Sequence, residues 1–255
     1  MTSRLGVRER RVAGSPPRYA IADWEERFGV TAGITGRGSP SGPGFDLGLQ
    51  SDLPAARVMA NWSELRAAIP GFEGVVQGHQ VHGVEVRWHE RVAGWLRLDG
   101  VDGHATATPG LLLTVTVADC IPVYLVAPSR RALALVHAGW RGAAAGILGR
   151  AVGQLARHAR VEPSDIVVHC GVGVCGDCYQ VGPEVLEAFG VRGDLPGPWN
   201  IDIRERLKDE ATDLGVSEIT LSDWCTVHDA DRFFSFRQAA GVGGRMVAYL
   251  GYPLA

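Results

Sequence analysis

Two residues that commonly ligate metals stand at the ends of one apolar stretch of the sequence. Cys120 follows an aspartate at its start, and His137 closes it before Gly-Trp-Arg-Gly. Thiolate and imidazole are both preferred ligands of Zn²⁺. The stretch therefore predicts either a pair of metal ligands or two ordinary core residues, and the distance between them decides.

The chain between these two residues is predicted to form a β-hairpin. Two apolar runs flank Ala-Pro-Ser-Arg, a sequence typical of a turn. If the turn centres on Ser129, residue 120 faces 138 and residue 137 faces 121, within one residue of each other. Opposed Cβ atoms lie roughly 4.5–5.5 Å apart, which suits a zinc ion bound at about 2.3 Å by sulfur and about 2.0–2.1 Å by nitrogen. A slip of one residue would turn a side chain to the other face.

A catalytic zinc needs a third protein ligand, and the segment Gly-His-Gln-Val-His-Gly offers two histidines. His79 and His82 are three residues apart, so on a strand they point to opposite faces. His82 is the favoured ligand because Gly83 follows it and allows the backbone to bend. The alternative remains open that these are hydrogen-bonded histidines and Cys120 is a core thiol.

Composition limits the classes of protein to which the chain can belong. The 255 residues are 46% hydrophobic and 21% charged with a net charge of −3, values typical of a soluble globular protein. No apolar run is long enough for a membrane span, and no basic block with aromatics suggests nucleic-acid binding. The N-terminus lacks the apolar segment of a signal peptide, so a cytoplasmic location is expected. Five cysteines, an odd number, predict reduced thiols rather than a disulfide framework.

The pattern of apolar residues predicts a single α+β domain. Helices are expected over residues 54–69, 143–159 and 201–215, with short strands between them in no strict alternation. This mixture favours mixed sheets over a doubly wound fold. Residues 1–18 are expected to be a flexible lead-in, and residues 19–255 the domain itself.

Eight short motifs occur in an order that resembles the YfiH family, which has also been called a laccase-domain or multicopper polyphenol oxidase family. They are QVHG (80–83), VDGHAT (101–106), ADCIPV (118–123), HAGWRG (137–142), CYQVGPEV (178–185), CT (225–226), FFSFR (233–237) and GGRM (243–246). The resemblance implies one four-layer α/β/β/α domain and a zinc site on His82, Cys120 and His137. It also implies a purine nucleoside phosphorylase, with adenosine deaminase as an accompanying activity.

This resemblance assigns chemistry to several further residues. Phosphorolysis of adenosine, inosine, guanosine or methylthioadenosine requires a bound phosphate, and Arg37 and Arg141 are the candidate phosphate ligands because a guanidinium pairs well with a dianion. Asp102, Asp119 and Gln80 are candidates for a catalytic role or for orienting a metal ligand. The expected partners are a nucleoside and phosphate, without nucleic acid or membrane, and the expected state is a monomer or weak homo-oligomer.

The sequence departs from the family pattern at three places near the expected pocket. The loop TGRGSPS lacks the second glycine of a pair at Gly38-Ser39, Asp46 replaces an asparagine, and Gln180 replaces a glutamate. The segment CGDC (Cys175–Cys178) is interpreted as a Gly-rich loop with incidental cysteines, because no second Cys-x-x-Cys and no His-x-Glu accompanies it.

Two other functions remain as alternatives. His₂Cys is also a copper ligand set, so a laccase-like polyphenol oxidase is conceivable; a laccase, however, needs paired His-x-His motifs, which the eight histidines do not form. A non-catalytic structural-zinc protein linked to cell-wall processes would instead need a fourth protein ligand, for which Cys175 or Cys225 are the candidates.

Overall fold

Two seven-stranded sheets lie face to face in the computed structural model, which describes residues 6–7, 9–39, 42, 44–191, 196–241 and 243–254. The first sheet has the order β1 (Gly6–Val7), β15 (Glu218–Ser222), β12 (Val167–Cys170), β10 (Ile121–Ala127), β11 (Ala132–Ala138), β8 (Gly103–Thr106) and β6 (Val86–His89). The second has the order β2 (Arg10–Val12), β3 (Arg18–Ala20), β4 (Thr31–Thr35), β16 (Met246–Gly251), β9 (Leu111–Val117), β5 (Gly74–His79) and β7 (Gly94–Asp99). A separate ribbon pairs β13 (Gln180–Val181) with β14 (Trp199–Asn200).

Six α-helices occur among the described residues. They are α1 (Trp24–Phe28), α2 (Ala55–Ala68), α3 (Trp140–Ala144), α4 (Ile147–Ala159), α5 (Pro183–Ala188) and α6 (Ile203–Asp213). None of the helices in the described part of the chain has the length and apolar character needed to cross a bilayer.

The longer helices α2, α4 and α6 cover the outer faces of the two sheets, and a shared core fills the space between the sheets. Side chains of β9 and β16 pack against those of β10 and β11 in this central core. On the outside of the first sheet, α4 and α6 bury their apolar faces, and on the outside of the second sheet α2 buries Trp62 and Leu65. The fold is therefore a single mixed α/β domain with α/β/β/α layers, which confirms the predicted fold class.

The predicted hairpin exists, with a register that differs by one residue. β10 and β11 are antiparallel, and His137 pairs with Pro122 rather than with residue 121. A 3-10 turn over Pro128–Arg130 is followed by Arg131 in the left-handed conformation, φ 50°, which adds one residue to the connection. Cys120 lies just outside β10, so the alternation of faces along the strand does not fix its direction.

Other predicted elements are confirmed with adjusted boundaries. The helix expected over residues 54–69 is α2, and the one expected over 201–215 is α6. The helix expected over 143–159 is divided into α3 and α4 at Gly146, whose φ of 81° interrupts the helical conformation. β5 and β6 are consecutive along the chain but belong to different sheets.

The expectation of a flexible lead-in over residues 1–18 is wrong where the structure describes this segment. β2 pairs antiparallel with β3 at the edge of the second sheet. Glu9 is buried; its carboxylate accepts from Ser222 Oγ at 2.7 Å and lies 3.1 Å from His169 Nε2. The strand pairing attaches the segment to the second sheet, and the polar contacts of Glu9 attach it to the first. Residues 1–5 and 8 lie outside the described residues.

Candidate metal centre

Three potential metal ligands meet where two connections converge on the end of a strand. His82 lies in the turn after β5, Cys120 in the connection between β9 and β10, and His137 in β11. Their ligand atoms all lie within 4.8 Å of one another. The structure thus brings together the three residues that the sequence nominated, although Cys120 does so from a connection rather than from a paired strand.

Two residues with left-handed backbone conformations direct the ligands. His82 itself has φ 60° and Asp119, next to Cys120, has φ 83°. Such conformations are uncommon for residues other than glycine and cluster at functional sites. They turn the side chains of His82 and Cys120 towards His137, which the hairpin register alone would not do.

Gly139 leaves room for the cluster. A Cβ atom at this position would lie 2.6 Å from His82 Cδ2 and 3.1 Å from Cys120 Sγ. Any side chain here would therefore displace one ligand or the other. This explains why a glycine directly follows the His-Ala pair at the end of β11.

Asp102 forms hydrogen bonds that position two of the ligands, His82 and His137. Its side chain is completely buried, and Oδ1 lies 2.9 Å from His137 Nδ1. The same carboxylate accepts the backbone N–H groups of Val81, His82 and Gly83 at 3.1, 2.9 and 2.8 Å. Because a carboxylate can only accept, His137 carries its proton on Nδ1 and presents Nε2 to the cluster.

The electrostatics of the metal-free cluster favour a thiolate. Burial by itself would raise the pKa of Cys120, but the adjacent His137 and His82 outweigh it and lower this pKa to about 6. Burial would lower the pKa of His137, but Cys120 and Asp102 outweigh burial and raise it to about 9. For Asp102 the cost of burial is outweighed by the hydrogen bonds from His137, Gly83 and Val81, and its pKa is lowered. A cysteine already inclined to ionise is suited to binding a cation.

The cluster opens into a cavity of about 650 Å³. His82, Cys120 and His137 lie in its wall, and His82 is exposed to it. Three guanidinium groups line the same cavity, those of Arg97, Arg141 and Arg245. The cavity therefore places positive charge around the open side of the three ligands, an arrangement that favours an anionic ligand.

Two of the other predicted polar residues hold the framework around the cluster. Gln80 lines the cavity, but its amide is engaged with β9: it donates to the Thr116 carbonyl and accepts from Thr116 N–H, each at 2.8 Å. Asp119 accepts from Thr226 Oγ1 at 2.5 Å and from Arg237 N–H at 2.7 Å. These hydrogen bonds engage neighbouring segments rather than the ligand histidines, so both side chains support the backbone that carries the ligands.

The two arginines predicted to bind phosphate lie in different surroundings. Arg37 does not line the cavity: its Nη1 donates to the Ala230 carbonyl at 2.7 Å and its guanidinium lies over the Phe234 ring. Arg141 does line the cavity, as expected. Arg97 and Arg245 also line the cavity, and neither was a candidate from the sequence.

The departures from the family motifs lie mostly away from the cavity. Gly38, Ser39 and Gln180 do not line it, contrary to the expectation. Asp46 does bear on it indirectly, because its Oδ1 accepts the backbone N–H groups of Gly48 and Arg245 at 2.8 and 2.7 Å. Both of those residues line the cavity.

The cluster fits a zinc ion with three protein ligands and one open side. Among the described residues, the group of potential ligand atoms contains only His82, Cys120 and His137, and its open side faces the cavity. Three protein ligands and an open fourth position are typical of catalytic zinc. Cys175 and Cys225, the candidates for a closing ligand, belong to a separate group with Cys178 and His228. Both cysteines of the CGDC segment, which the sequence alone left as incidental, therefore lie in a second group of potential metal ligands.

Fold and site together define a candidate metalloenzyme with a three-ligand centre in the wall of a cavity. The family described as multi-copper polyphenol oxidoreductase laccase matches residues 27–252, and the chain belongs to this family. The purine nucleoside phosphorylase YlmD of Geobacillus stearothermophilus is 34% identical over 251 residues, covering 88% of this chain and 90% of the relative. A purine nucleoside phosphorylase of Deinococcus radiodurans is 34% identical over 226 residues, covering 85% and 86%.

Solved structures agree with the fold. The crystal structure of Bacillus licheniformis YfiH matches with a TM-score of 0.84 at 25% identity, covering 96% of this chain and 99% of that one. The crystal structure of YlmD from Geobacillus stearothermophilus matches with a TM-score of 0.83 at 28% identity, covering 97% and 100%. Relatives named purine nucleoside phosphorylase support an enzyme as the class of this protein.

Proposed function

We propose that the chain is a zinc-dependent purine nucleoside phosphorylase. The observation that carries the proposal is the His82–Cys120–His137 group at the wall of a cavity lined by three arginines. The names of the curated relatives support the reaction class. The reaction would take a purine nucleoside and phosphate to the free base and ribose 1-phosphate, with adenosine, inosine, guanosine and methylthioadenosine as candidate substrates.

We propose zinc rather than copper because of the chemistry of the three ligands His82, Cys120 and His137. A zinc ion held by these residues would supply Lewis acidity and lower the pKa of a bound water to about 7, which would also suit adenosine deamination as a second activity. A laccase needs several copper ions with many histidines to reduce oxygen. The group found among the described residues contains only two histidines and one cysteine, which does not favour that chemistry.

The chain's own residues would orient the centre and the phosphate. Asp102 fixes the tautomer of His137 through the contact at Nδ1 and holds the turn that carries His82. Arg97, Arg141 and Arg245 are proposed to bind phosphate, because guanidinium groups form paired hydrogen bonds with its oxygens. Arg245 is kept at the cavity by Asp46, which accepts its backbone N–H.

The purine is proposed to contact Phe236. This side chain lines the cavity, and 47% of its surface is exposed, which is unusual for a phenylalanine in a folded domain. An aromatic ring that lines a solvent-accessible cavity can stack on a heterocyclic base, as aromatic side chains do with nucleobases. The base would then lie at one side of the cavity and the phosphate among the arginines.

The compartment proposed for this reaction is the cytoplasm. All five cysteines are free, and four of them lie in one or other of the two potential metal groups. Thiols that bind metal must stay reduced, as they do in a reducing compartment.

The test is a product analysis on protein of measured zinc content. Purified protein would be incubated with adenosine or inosine and phosphate, and the products identified by mass spectrometry. The proposal predicts base and ribose 1-phosphate in equal amounts, with loss of both in His82→Ala. The matched control is His158→Ala, an exposed histidine that stacks on Trp88 on the protein surface.

Three outcomes would contradict parts of the proposal. Inosine as the sole product from adenosine would favour deamination as the main reaction. Base with free ribose would indicate hydrolysis and contradict phosphorolysis. No turnover of any of the four nucleosides at full zinc content would contradict the enzyme and favour the structural-zinc alternative.

A further inference from the structure

Outside the first cluster, three cysteines and a histidine converge between two loops. One loop follows β12 and carries Cys175 and Cys178, and the other follows β15 and carries Cys225 and His228. Their four ligand atoms lie within 4.8 Å of one another. The two halves have the spacings Cys-x-x-Cys and Cys-x-x-His, which are typical of the two halves of a structural zinc site.

The distances between the ligand atoms match a tetrahedral ion. Cys178 Sγ lies 3.2 Å from His228 Nε2, and Cys175 Sγ lies 3.7 Å from His228 Nδ1. Zinc bonds of about 2.3 Å to sulfur and about 2.0 Å to nitrogen at tetrahedral angles separate the two ligand atoms by about 3.5 Å. The two sulfur atoms face different nitrogens of the same ring, so the imidazole has to rotate to present one nitrogen to an ion held between them.

Backbone hydrogen bonds hold both loops in tight turns around the sulfur atoms. Cys175 N–H donates across the group to Cys225 Sγ at 3.4 Å. Within the first loop, Cys178 N–H donates to the Cys175 carbonyl at 3.1 Å, and in the second loop Cys225 N–H donates to the Asp229 carboxylate at 3.0 Å. A hydrogen bond such as that to Cys225 Sγ stabilises a thiolate that ligates a metal. The loop with Cys175 and Cys178 therefore faces the loop with Cys225 and His228, so that one ion could bind ligands from both.

We propose a second zinc site, structural and closed, formed by Cys175, Cys178, Cys225 and His228. Four protein ligands leave no open position, so this ion has no catalytic role. Three thiolates and one imidazole favour Zn²⁺ over harder cations such as Mg²⁺ or Ca²⁺. Binding deprotonates the cysteines and releases their protons to solvent, without any change of oxidation state.

A bound ion would hold together the loops after β12 and β15, which contact Asp119 beside the first cluster. Gly173 forms a parallel bridge with Cys225, and Val174 N–H donates to the Asp119 carbonyl at 2.9 Å. Thr226, next to Cys225, donates its hydroxyl to the Asp119 carboxylate. Asp119 precedes Cys120, so the second ion would act on the first centre by fixing the backbone that presents its thiolate.

The first test is a metal count by mass spectrometry on protein purified under reducing conditions with Zn²⁺. We expect two zinc ions per chain in the wild type. The double variant Cys178→Ser/His228→Ala, which removes two of the four ligands at partly exposed positions, should hold one. His82→Ala should also hold one. The control Cys170→Ala removes a buried thiol that belongs to neither group and should hold two.

Replacing Zn²⁺ by Co²⁺ distinguishes the two sites by the number of thiolates that bind each ion. Sulfur-to-cobalt charge-transfer absorption rises with the number of thiolates, three in the second group and one in the first. Removing the second group should therefore abolish about three quarters of this absorption, and His82→Ala should leave most of it.

One zinc ion per chain in the wild type, unchanged in the double variant, would overturn the proposal. So would iron in place of zinc, or a Cys175–Cys178 disulfide in protein purified with reductant. These outcomes do not depend on the reaction: an inactive protein with two zinc ions would contradict the proposed function and leave the second site standing. If the double variant fails to fold, His228→Ala alone, at an exposed ligand, should show altered cobalt absorption, and an unchanged spectrum would refute the site.

Discussion

Replacing Asp102 by asparagine tests the support of the proposed catalytic centre. In the native protein Oδ1 accepts from His82 N–H and contacts His137 Nδ1, while Oδ2 accepts from Val81 and Gly83 N–H. Asparagine has one acceptor oxygen and one NH₂ group. Whichever way its amide is turned, two donors lose their acceptor and face another donor in a fully buried place.

The structure sets the size of this effect. Each buried donor left without a partner costs about 1–3 kcal/mol, so the free energy of unfolding should fall by about 2–6 kcal/mol. For a chain of this size the unfolding midpoint should drop by at least about 4 °C. Because Asp102 also orients His137, the zinc affinity of the first centre should fall by about 10- to 100-fold.

The assay combines thermal unfolding with zinc competition against a chelator. Asp119→Asn is the matched control, since it makes the same change at another buried aspartate. There the new oxygen can accept from Arg237 N–H, and the new NH₂ can donate to Thr226 Oγ1, which is able to accept. Asp102→Asn with native zinc affinity and native stability, or Asp119→Asn with equal losses, would refute this explanation.

Three further perturbations have expected outcomes. Gly139→Ala should reduce the zinc content of the first centre, as measured by mass spectrometry, because its Cβ would lie 2.6 Å from His82 Cδ2; full zinc content would contradict the close approach. Arg141→Ala should raise KM for phosphate by about 10- to 100-fold through the loss of a charge-assisted hydrogen bond, whereas Arg37→Ala, outside the cavity, should leave it unchanged; equal effects in steady-state kinetics would argue against this assignment. Burial lowers the pKa of His104 to about 3 and that of His89 to about 4. Below about pH 6.5 the unfolded chain therefore binds more protons than the folded one. The free energy of unfolding should fall as the pH drops from about 6.5 to 4. His89 Nε2 lies 3.0 Å from His104 Nδ1. Denaturant titrations should show a shallower fall in His89→Gln, and an unchanged pH dependence would contradict the assignment of both buried histidines as neutral.

The first metal group could be predicted from sequence because local patterns carry it. The hairpin between Cys120 and His137 follows from two apolar runs and a turn, and Gly83 marks the bend that brings in His82. The register was still off by one residue. The group forms nonetheless because Asp119 adopts a left-handed conformation just outside the strand, a feature that strand periodicity does not encode.

The surroundings of Arg37 and Glu9 could not be predicted, because they depend on contacts between distant parts of the chain. Arg37 lies in a glycine-rich loop, but the partner that fixes it, the Ala230 carbonyl, is far away in sequence. The N-terminal segment appeared flexible because its composition is polar, and its buried anchor at Glu9 meets His169 and Ser222 only after folding. The second metal group did leave a signal, Cys-x-x-His at Cys225–His228, which completes the Cys-x-x-Cys at Cys175–Cys178.

The most direct measurement of the central claim is ribose 1-phosphate formation from inosine and phosphate by stripped and zinc-refilled protein. The account predicts that the product is absent after stripping, returns in proportion to the zinc bound at the first centre, and does not return in His82→Ala. Full activity in the stripped protein, or no ribose 1-phosphate from any purine nucleoside after complete refilling, would contradict it.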